Sequence, residues 1–281
     1  MLMKRIFCLL LGIGIMTGAM AQTKVPKGKL FIIGGGDRGE ALMKAMVEEA
    51  ELKPSDYIMV LPMASGIPEE SVEAIAGQFR EVSQNSIRSI NFTRKMASDK
   101  VLVDSVRHAK LIFVTGGDQN RFMDVVKATP LYDALHQAYA AGSLIAGTSA
   151  GAAIMSEKMI TGHPAKVTES KNPFAQLTAG LVEVGEGMGF LKSAIIDQHF
   201  IARSRYTRLF STLAVYPKLA AIGVDEGTAM LVSGNQVKVV GDAQVLVVKN
   251  PKKLKIANNG YVSWEHADFG LYQQGESFKL K

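Results

Sequence analysis

Short continuous apolar runs recur along this chain, each stopped by glycines or small polar residues. They are Leu30-Phe31-Ile32-Ile33, Tyr57-Ile58-Met59-Val60-Leu61, Leu111-Ile112-Phe113-Val114, Ser143-Leu144-Ile145-Ala146 and Ala194-Ile195-Ile196. Runs that are continuous rather than alternating are the pattern of strands buried on both faces. Between them lie helix-like stretches over residues 40–51, 69–82, 120–127 and 131–141. This alternation predicts an α/β fold: a mostly parallel sheet with helices on both faces. After residue 226 the pattern changes, and residues 229–232, 236–240 and 243–248 read as strands joined by tight turns at Gly234-Asn235 and Gly241-Asp242. The tail, residues 229–281, is expected to be an antiparallel appendage to the same sheet. It is too small for a core of its own, so residues 22–281 are read as one domain with its core over about 29–248.

The N-terminus is read separately. Residues 1–21 carry Lys4 and Arg5, an apolar run from Ile6 to Ile15 and then Ala19-Met20-Ala21, the layout of a cleavable secretory signal cut after Ala21. The run is too short for a comfortable membrane span, so no stable insertion is expected after cleavage. The expected location is secreted or periplasmic. The chain has 281 residues, 47% hydrophobic and 21% charged, which excludes a disordered or collagen-like polymer. Its single cysteine, Cys8, excludes a disulfide framework and a cysteine-ligated metal site, and falls within the signal. Loss of the signal lowers the net charge from +6 by removing two of the 32 basic residues, with 26 acidic residues unchanged. These charges are scattered, so nothing points to a nucleic-acid partner.

In open parallel sheets ligands bind at the carboxyl ends of the strands, so the strand exits are searched for chemistry. Gly34, Gly36 and Gly39 satisfy G-x-G-x-x-G after a strand, but Asp56 precedes the second strand instead of ending it, so a turn allowing close backbone approach is preferred to a dinucleotide site. Gly147-Thr148-Ser149-Ala150-Gly151 is more specific: G-x-S-x-G between an apolar strand and an expected helix over residues 152–158 has the context of a nucleophile elbow. A nucleophilic Ser149 needs a base and an orienting acid. Of the five histidines, His108 and His136 sit in polar helical surroundings and are read as solvated, and His163 lies in a polar loop. His199 closes a strand and so emerges at the same sheet edge as Ser149. Asp225 and Glu226 follow another apolar run, residues 219–224, and either carboxylate could reach His199. The Ala150 amide is one expected oxyanion donor, and the Gly116-Gly117-Asp118 turn should supply the other. Arg203, Arg205 and Arg208 are read as one helix, with Arg203 on the His199 face and the other two on another face, where one could bind a carboxylate bidentately.

These segments together resemble the cyanophycinase and peptidase E family of serine exopeptidases. The carrying residues are Gly34-Gly35-Gly36-Asp37, Thr115-Gly116-Gly117-Asp118-Gln119, Gly147 through Ala152, Asp197-Gln198-His199-Phe200 with the arginines after it, and Asp225-Glu226-Gly227-Thr228-Ala229. The Asp-Gln-His-Phe run with its arginines is similar to the cyanophycinase branch. The resemblance implies a fold like the class I glutamine amidotransferases and a triad of Ser149, His199 and Glu226, with Gly117 and Ala150 as oxyanion donors. It also implies substrate-pocket positions at Asp118, Gln119, Asp197, Gln198, Arg203, Arg205 and Arg208, no metal or cofactor, a peptide or cyanophycin substrate and a homodimer. Cyanophycin is polyaspartate with arginine amide-linked to its side-chain carboxyls, and β-Asp-Arg dipeptides are the expected products. Two alternatives are weighed. An α/β-hydrolase-type esterase would take its residues in the order Ser149, acid, His266. A non-catalytic binding protein on the same scaffold would leave Ser149 unreactive.

Overall fold

The structure is a computed structural model that describes residues 26–165 and 175–280. The expected signal, residues 1–21, lies outside the described residues, as do residues 166–174 between Ser149 and His199. Each apolar run becomes a strand. The first half alternates as β1 (Lys29–Ile33), α1 (Glu40–Ala50), β2 (Tyr57–Leu61), α2 (Pro68–Val82), β3 (Ser86–Ser89), α3 (Lys100–Arg107), β4 (Leu111–Val114), α4 (Gln119–Val126), α5 (Pro130–Ala141), β5 (Leu144–Thr148) and the single turn α6 (Ala150–Ala153). The second half contains β6 (Lys158–Pro164), β7 (Val182–Glu186), β8 (Ala194–Gln198), α7 (Tyr206–Val215), β9 (Ala220–Val224), β10 (Thr228–Ser233), β11 (Gln236–Gly241), β12 (Val245–Lys252), β13 (Lys255–Ile256), β14 (Val262–Ser263), β15 (His266–Tyr272) and β16 (Ser277–Lys279). No helix of the described residues is long and apolar enough to cross a membrane.

The main sheet runs β16-β11-β10-β1-β5-β4-β2-β3, with β1, β5, β4, β2 and β3 parallel and β10, β11 and β16 antiparallel. Apart from the edge strand β3, its parallel half is buried on both faces, because successive side chains point to opposite sides. On β1, Phe31 and Ile33 join one apolar cluster with Met43 and Met46 of α1 and Ile75 and Phe79 of α2. Leu30 and Ile32 join the other, with Val103 and Val106 of α3, Phe122 of α4 and Leu131 and Leu135 of α5. Each such large side chain contributes about 1.5–3 kcal/mol when fully buried. Two helices start where a side chain accepts their free amides: Asp99 Oδ1 takes the Val101 and Leu102 N–H groups at α3, and Asp118 Oδ1 takes that of Asn120 at α4.

The fold departs from the sequence reading in the C-terminal strands and just after the elbow. The tail does not extend a single sheet. After the turn at Glu226-Gly227, β10 returns antiparallel along β1 and occupies its free edge, so β8 and β9 have no place there. They pair parallel with each other and, with β12 and β15, form a second sheet in the order β15-β12-β9-β8. The helix expected over residues 152–158 is instead the single turn α6. Ser156 is fully buried, its Oγ accepts the Ile196 N–H of β8 at 3.1 Å, and from Lys158 the chain is strand β6 paired with β7.

Candidate active site

Ser149 joins β5 to α6 with φ 54° and ψ −110°. A non-glycine residue in such a region costs about 1–3 kcal/mol and persists only where its surroundings over-determine it. Here the Ser149 N–H donates to the Ile33 carbonyl at 3.0 Å. A Cβ on Gly147 would come 2.3 Å from the Gly151 carbonyl oxygen, and one on Gly151 would come 2.5 Å from that of Val114. The outer glycines of the motif are therefore contact points between strand, turn and neighbouring strand, and they press Ser149 into the bend.

His199 reaches Ser149 from the second sheet. Its N–H donates to the Gly34 carbonyl at 2.7 Å, and the following Phe200, fully buried over Gly223, anchors the chain. His199 Nε2 lies 2.8 Å from Ser149 Oγ, and Nδ1 lies 2.5 Å from Glu226 Oε1. The tautomer satisfying both contacts carries its proton on Nδ1, which donates to the carboxylate and leaves Nε2 to accept the hydroxyl proton. Burial pushes the imidazole below its ordinary range; the Glu226 hydrogen bond opposes this and the Arg203 charge adds to it. Burial thus favours the neutral ring, which is able to take a proton.

Of the two acids left open, Glu226 touches the imidazole. Asp225 Oδ1 accepts the Ile201 and Ala202 N–H groups at 3.1 and 3.0 Å, holding the turn that follows His199. The glycine turn after β1 allows this assembly. A Cβ on Gly35, at φ 112°, would lie 2.2 Å from His199 Cε1, and one on Gly36 would lie 2.7 Å from Glu226 Cβ. This is the close backbone approach expected of the turn. Gly35→Ala should therefore displace the imidazole and lower turnover by about 10²-fold, since roughly 1 Å of misplacement can cost that much. Gly39→Ala, with open space around its Cβ, is the control that should retain the wild-type rate.

The other residues named from the sequence are placed less uniformly. The Ala150 amide opens α6 directly beside Ser149. Gly116, not Gly117, lies closest to the serine: its Cβ position is 3.3 Å from Ser149 Cβ, whereas that of Gly117 is against the Ala64 carbonyl. Asp118 caps α4, and the buried Gln119 donates Nε2–H to the Ile160 carbonyl at 2.8 Å, tying α4 to β6. Helix α7 begins only at Tyr206, so Arg203 and Arg205 precede it in turns, and the shared helical face with His199 does not form. Arg208 and Asp197 are both buried and bind each other through two hydrogen bonds. Arg205 donates to the Gln198 carbonyl at 2.7 Å and to its side chain, and burial pushes its guanidinium down to about 10, with the Arg208 charge adding to the effect. Asp197, Gln198, Arg205 and Arg208 are thus held to one another by contacts within the protein. Arg203 alone of the three arginines is exposed.

His266 begins the edge strand β15, exposed, and does not line the cavity that holds Ser149 and His199. His136 is not solvated: it stacks between Tyr132 and Phe190 and is bonded to the Met188 carbonyl at 2.7 Å. Sequence reasoning missed Arg38, which lines the Ser149 cavity from the loop before α1. Its place two residues after the triple glycine was the available signal. No cluster of three or more His, Cys, Asp or Glu able to hold a metal occurs among the described residues.

A parallel-sheet fold with serine, histidine and carboxylate in line at the strand ends defines a serine-type hydrolase. The chain belongs to peptidase family S51, whose family model matches residues 30–240. It is 29% identical over 249 residues to the cyanophycinase of Nostoc sp., covering 86% of this chain and 80% of that one. It is 32% identical over 211 residues to the cyanophycinase of Geminocystis herdmanii, covering 74% of each chain. The fold is similar to that of a peptidase from an acI-B1 Actinobacterium, with a TM-score of 0.64 at 22% identity over 90% of this chain and 96% of that one. A putative peptidase E protein from Listeria monocytogenes is more distant, with a TM-score of 0.53 at 17% identity over 77% of this chain and 99% of the other. The protein is a serine-type peptidase of the cyanophycinase and peptidase E family.

Proposed function

We propose that this peptidase hydrolyses cyanophycin, or β-linked aspartyl peptides, to β-Asp-Arg-like dipeptides through an acyl-enzyme on Ser149. The observation that carries the mechanism is the continuous contact from Ser149 Oγ to His199 Nε2 at 2.8 Å and from His199 Nδ1 to Glu226. Ser149 Oγ attacks the scissile carbonyl carbon as its proton passes to His199 Nε2. The Ala150 amide and an amide of the Gly116-Gly117 turn donate to the developing oxyanion, each such donor being worth about 3 kcal/mol in the transition state. Collapse breaks the C–N bond, and His199 gives its proton to the departing amine. Water then repeats the sequence on the ester, releasing the acid and restoring Ser149. Glu226 holds the tautomer and stabilises the imidazolium. The similarity to cyanophycinases supports the substrate, and the exposed Arg203 near His199 offers a cation for a substrate carboxylate. Export, with cleavage after Ala21, belongs to the same proposal.

The test is to incubate the mature protein with insoluble cyanophycin and, separately, with β-aspartyl dipeptides, and to identify the products by mass spectrometry. Release of β-Asp-Arg from the polymer is expected. Cleavage of free dipeptides with the polymer left intact would overturn cyanophycin as substrate. The pH profile tests the base. Only neutral His199 accepts the serine proton, and its titration is pushed below the ordinary value of 6.5 by burial. Accordingly kcat/KM should be lost as pH falls, through an inflection below that value. Glu226→Gln removes the hydrogen bond that raises the imidazole, so it should move the inflection lower still while slowing the reaction.

A further inference from the structure

The cavity of about 290 Å³ holding Ser149 and His199 extends behind them, between the carboxyl ends of β1, β4 and β5 and the flank of α2. Three of its lining residues have chemistry that the hydrolytic steps do not use. Thr115 follows β4 and Thr148 ends β5, each one residue beyond the paired Val114 and Gly147, so both sit at the same level of the sheet. They are 96% and 94% buried, yet neither Oγ1 has a hydrogen-bond partner among the described residues. Buried hydroxyls are almost always paired in folded proteins, so two orphans on one cavity wall are a demand for an acceptor.

Arg38 supplies the charge. Its Nε donates to Gln78 Oε1 of α2 at 2.9 Å, which fixes the plane of the guanidinium, and Nη1 lies 3.5 Å from the Gly36 carbonyl. Unlike Arg205 and Arg208, it has no carboxylate within ion-pair distance among the described residues. Among the described residues, no acidic side chain lines the cavity. Burial lowers the guanidinium pKa, with the nearby Asp37 charge opposing it; this is a cation partly stripped of water and lacking an anion.

We infer that this cavity is a carboxylate-binding subsite, in which Arg38 meets the charge and Thr115 and Thr148 donate to the oxygens. It would select substrates that carry a free carboxylate beside the bond that Ser149 attacks. A planar guanidinium fork matches a carboxylate geometrically, and neutral amides of the same shape gain only a fraction of that interaction. The location next to the scissile bond rests on the proposed role of Ser149; the anion preference does not.

The experiment separates the two. Binding of the α-amide of N-acetyl-aspartate, which carries a single carboxylate, and of its neutral near-isostere, the α-amide of N-acetyl-asparagine, is titrated calorimetrically into full-length Ser149→Ala protein, so that no turnover is needed. The aspartate should bind about tenfold tighter or more, the range of one charged hydrogen-bonded contact. Adding Arg38→Gln should abolish that preference, Arg38→Lys should recover part of it, and the isosteric Thr148→Val should weaken the aspartate a few-fold and the asparagine less. Equal binding of the two probes, or a preference that survives Arg38→Gln, would overturn the subsite. If Arg38→Gln does not fold, Thr148→Val decides: an undiminished preference there counts against it. Loss of both ligands in equal measure would assign Arg38 a purely structural role. Failure of Ser149 as nucleophile would instead be seen in wild-type turnover and would leave these affinities unchanged.

Discussion

Replacing Ser149 with alanine should lower peptide hydrolysis by roughly 10⁶-fold, the scale on which a serine–histidine unit fails when either member is removed. His199→Ala should cost about as much, and the double variant little more than either alone, because the two act on one proton. His266→Ala should leave the rate unchanged, since His266 is exposed on β15 and lies outside the Ser149 cavity. Hydrolysis rates would be measured beside circular dichroism and melting temperature, with all three single variants retaining the fold. A rate abolished by His266→Ala but not by His199→Ala would transfer the base to the other histidine and refute the mechanism. Persistent turnover in Ser149→Ala would refute the acyl-enzyme. The serine is also strained by its positive φ, so alanine, with the same backbone restriction, should not relieve that strain.

The second large effect is on stability. Asp197 is fully buried at the end of β8, its carboxylate shared by the Arg208 fork, the Gln198 N–H at 2.8 Å and Arg205 at 3.6 Å. Asp197→Ala would leave two guanidinium groups in a dry site with their counter-charge gone. Removing one partner of a buried pair costs about 3–5 kcal/mol. For a chain of this size that corresponds to a drop of roughly 10 °C in Tm. The pair as a whole is worth less, because both charges have lost their water. Asp197→Leu combined with Arg208→Met should therefore recover most of the stability lost by Asp197→Ala. A melting temperature unchanged by Asp197→Ala would mean that solvent reaches this site. Asp197 lies two residues before His199 in the chain, so the Asp197 variants should also slow hydrolysis through misplacement of the imidazole.

The elbow was readable because one local rule governs it: small residues flanking a serine between an apolar strand and a helix. The triple glycine at residues 34–36 was readable as a tight turn, but its purpose was not, since the atoms a Cβ would strike belong to residues 199 and 226. Asp225 and Glu226 are adjacent in sequence and chemically alike. What separates them is which way each side chain points from one turn, one toward the Ile201 and Ala202 amides and the other toward the imidazole. The three arginines after His199 look equivalent on a helical wheel. In the fold one is exposed, and two are bound to Asp197 and Gln198 on β8.

By itself, then, the amino-acid sequence determined the class of fold, the strand exits, the elbow serine and the candidate histidine. Each depends on short-range patterning: hydrophobic runs, turn residues and motif spacing. Tertiary structure alone decided that β8 and β9 form a second sheet, because β10 takes the free edge of β1. It alone brought Glu226 to the imidazole and put Arg38 on a wall with Thr115 and Thr148. These outcomes depend on contacts between segments far apart in the chain, whose relative positions follow from how the sheets pack and not from any local preference.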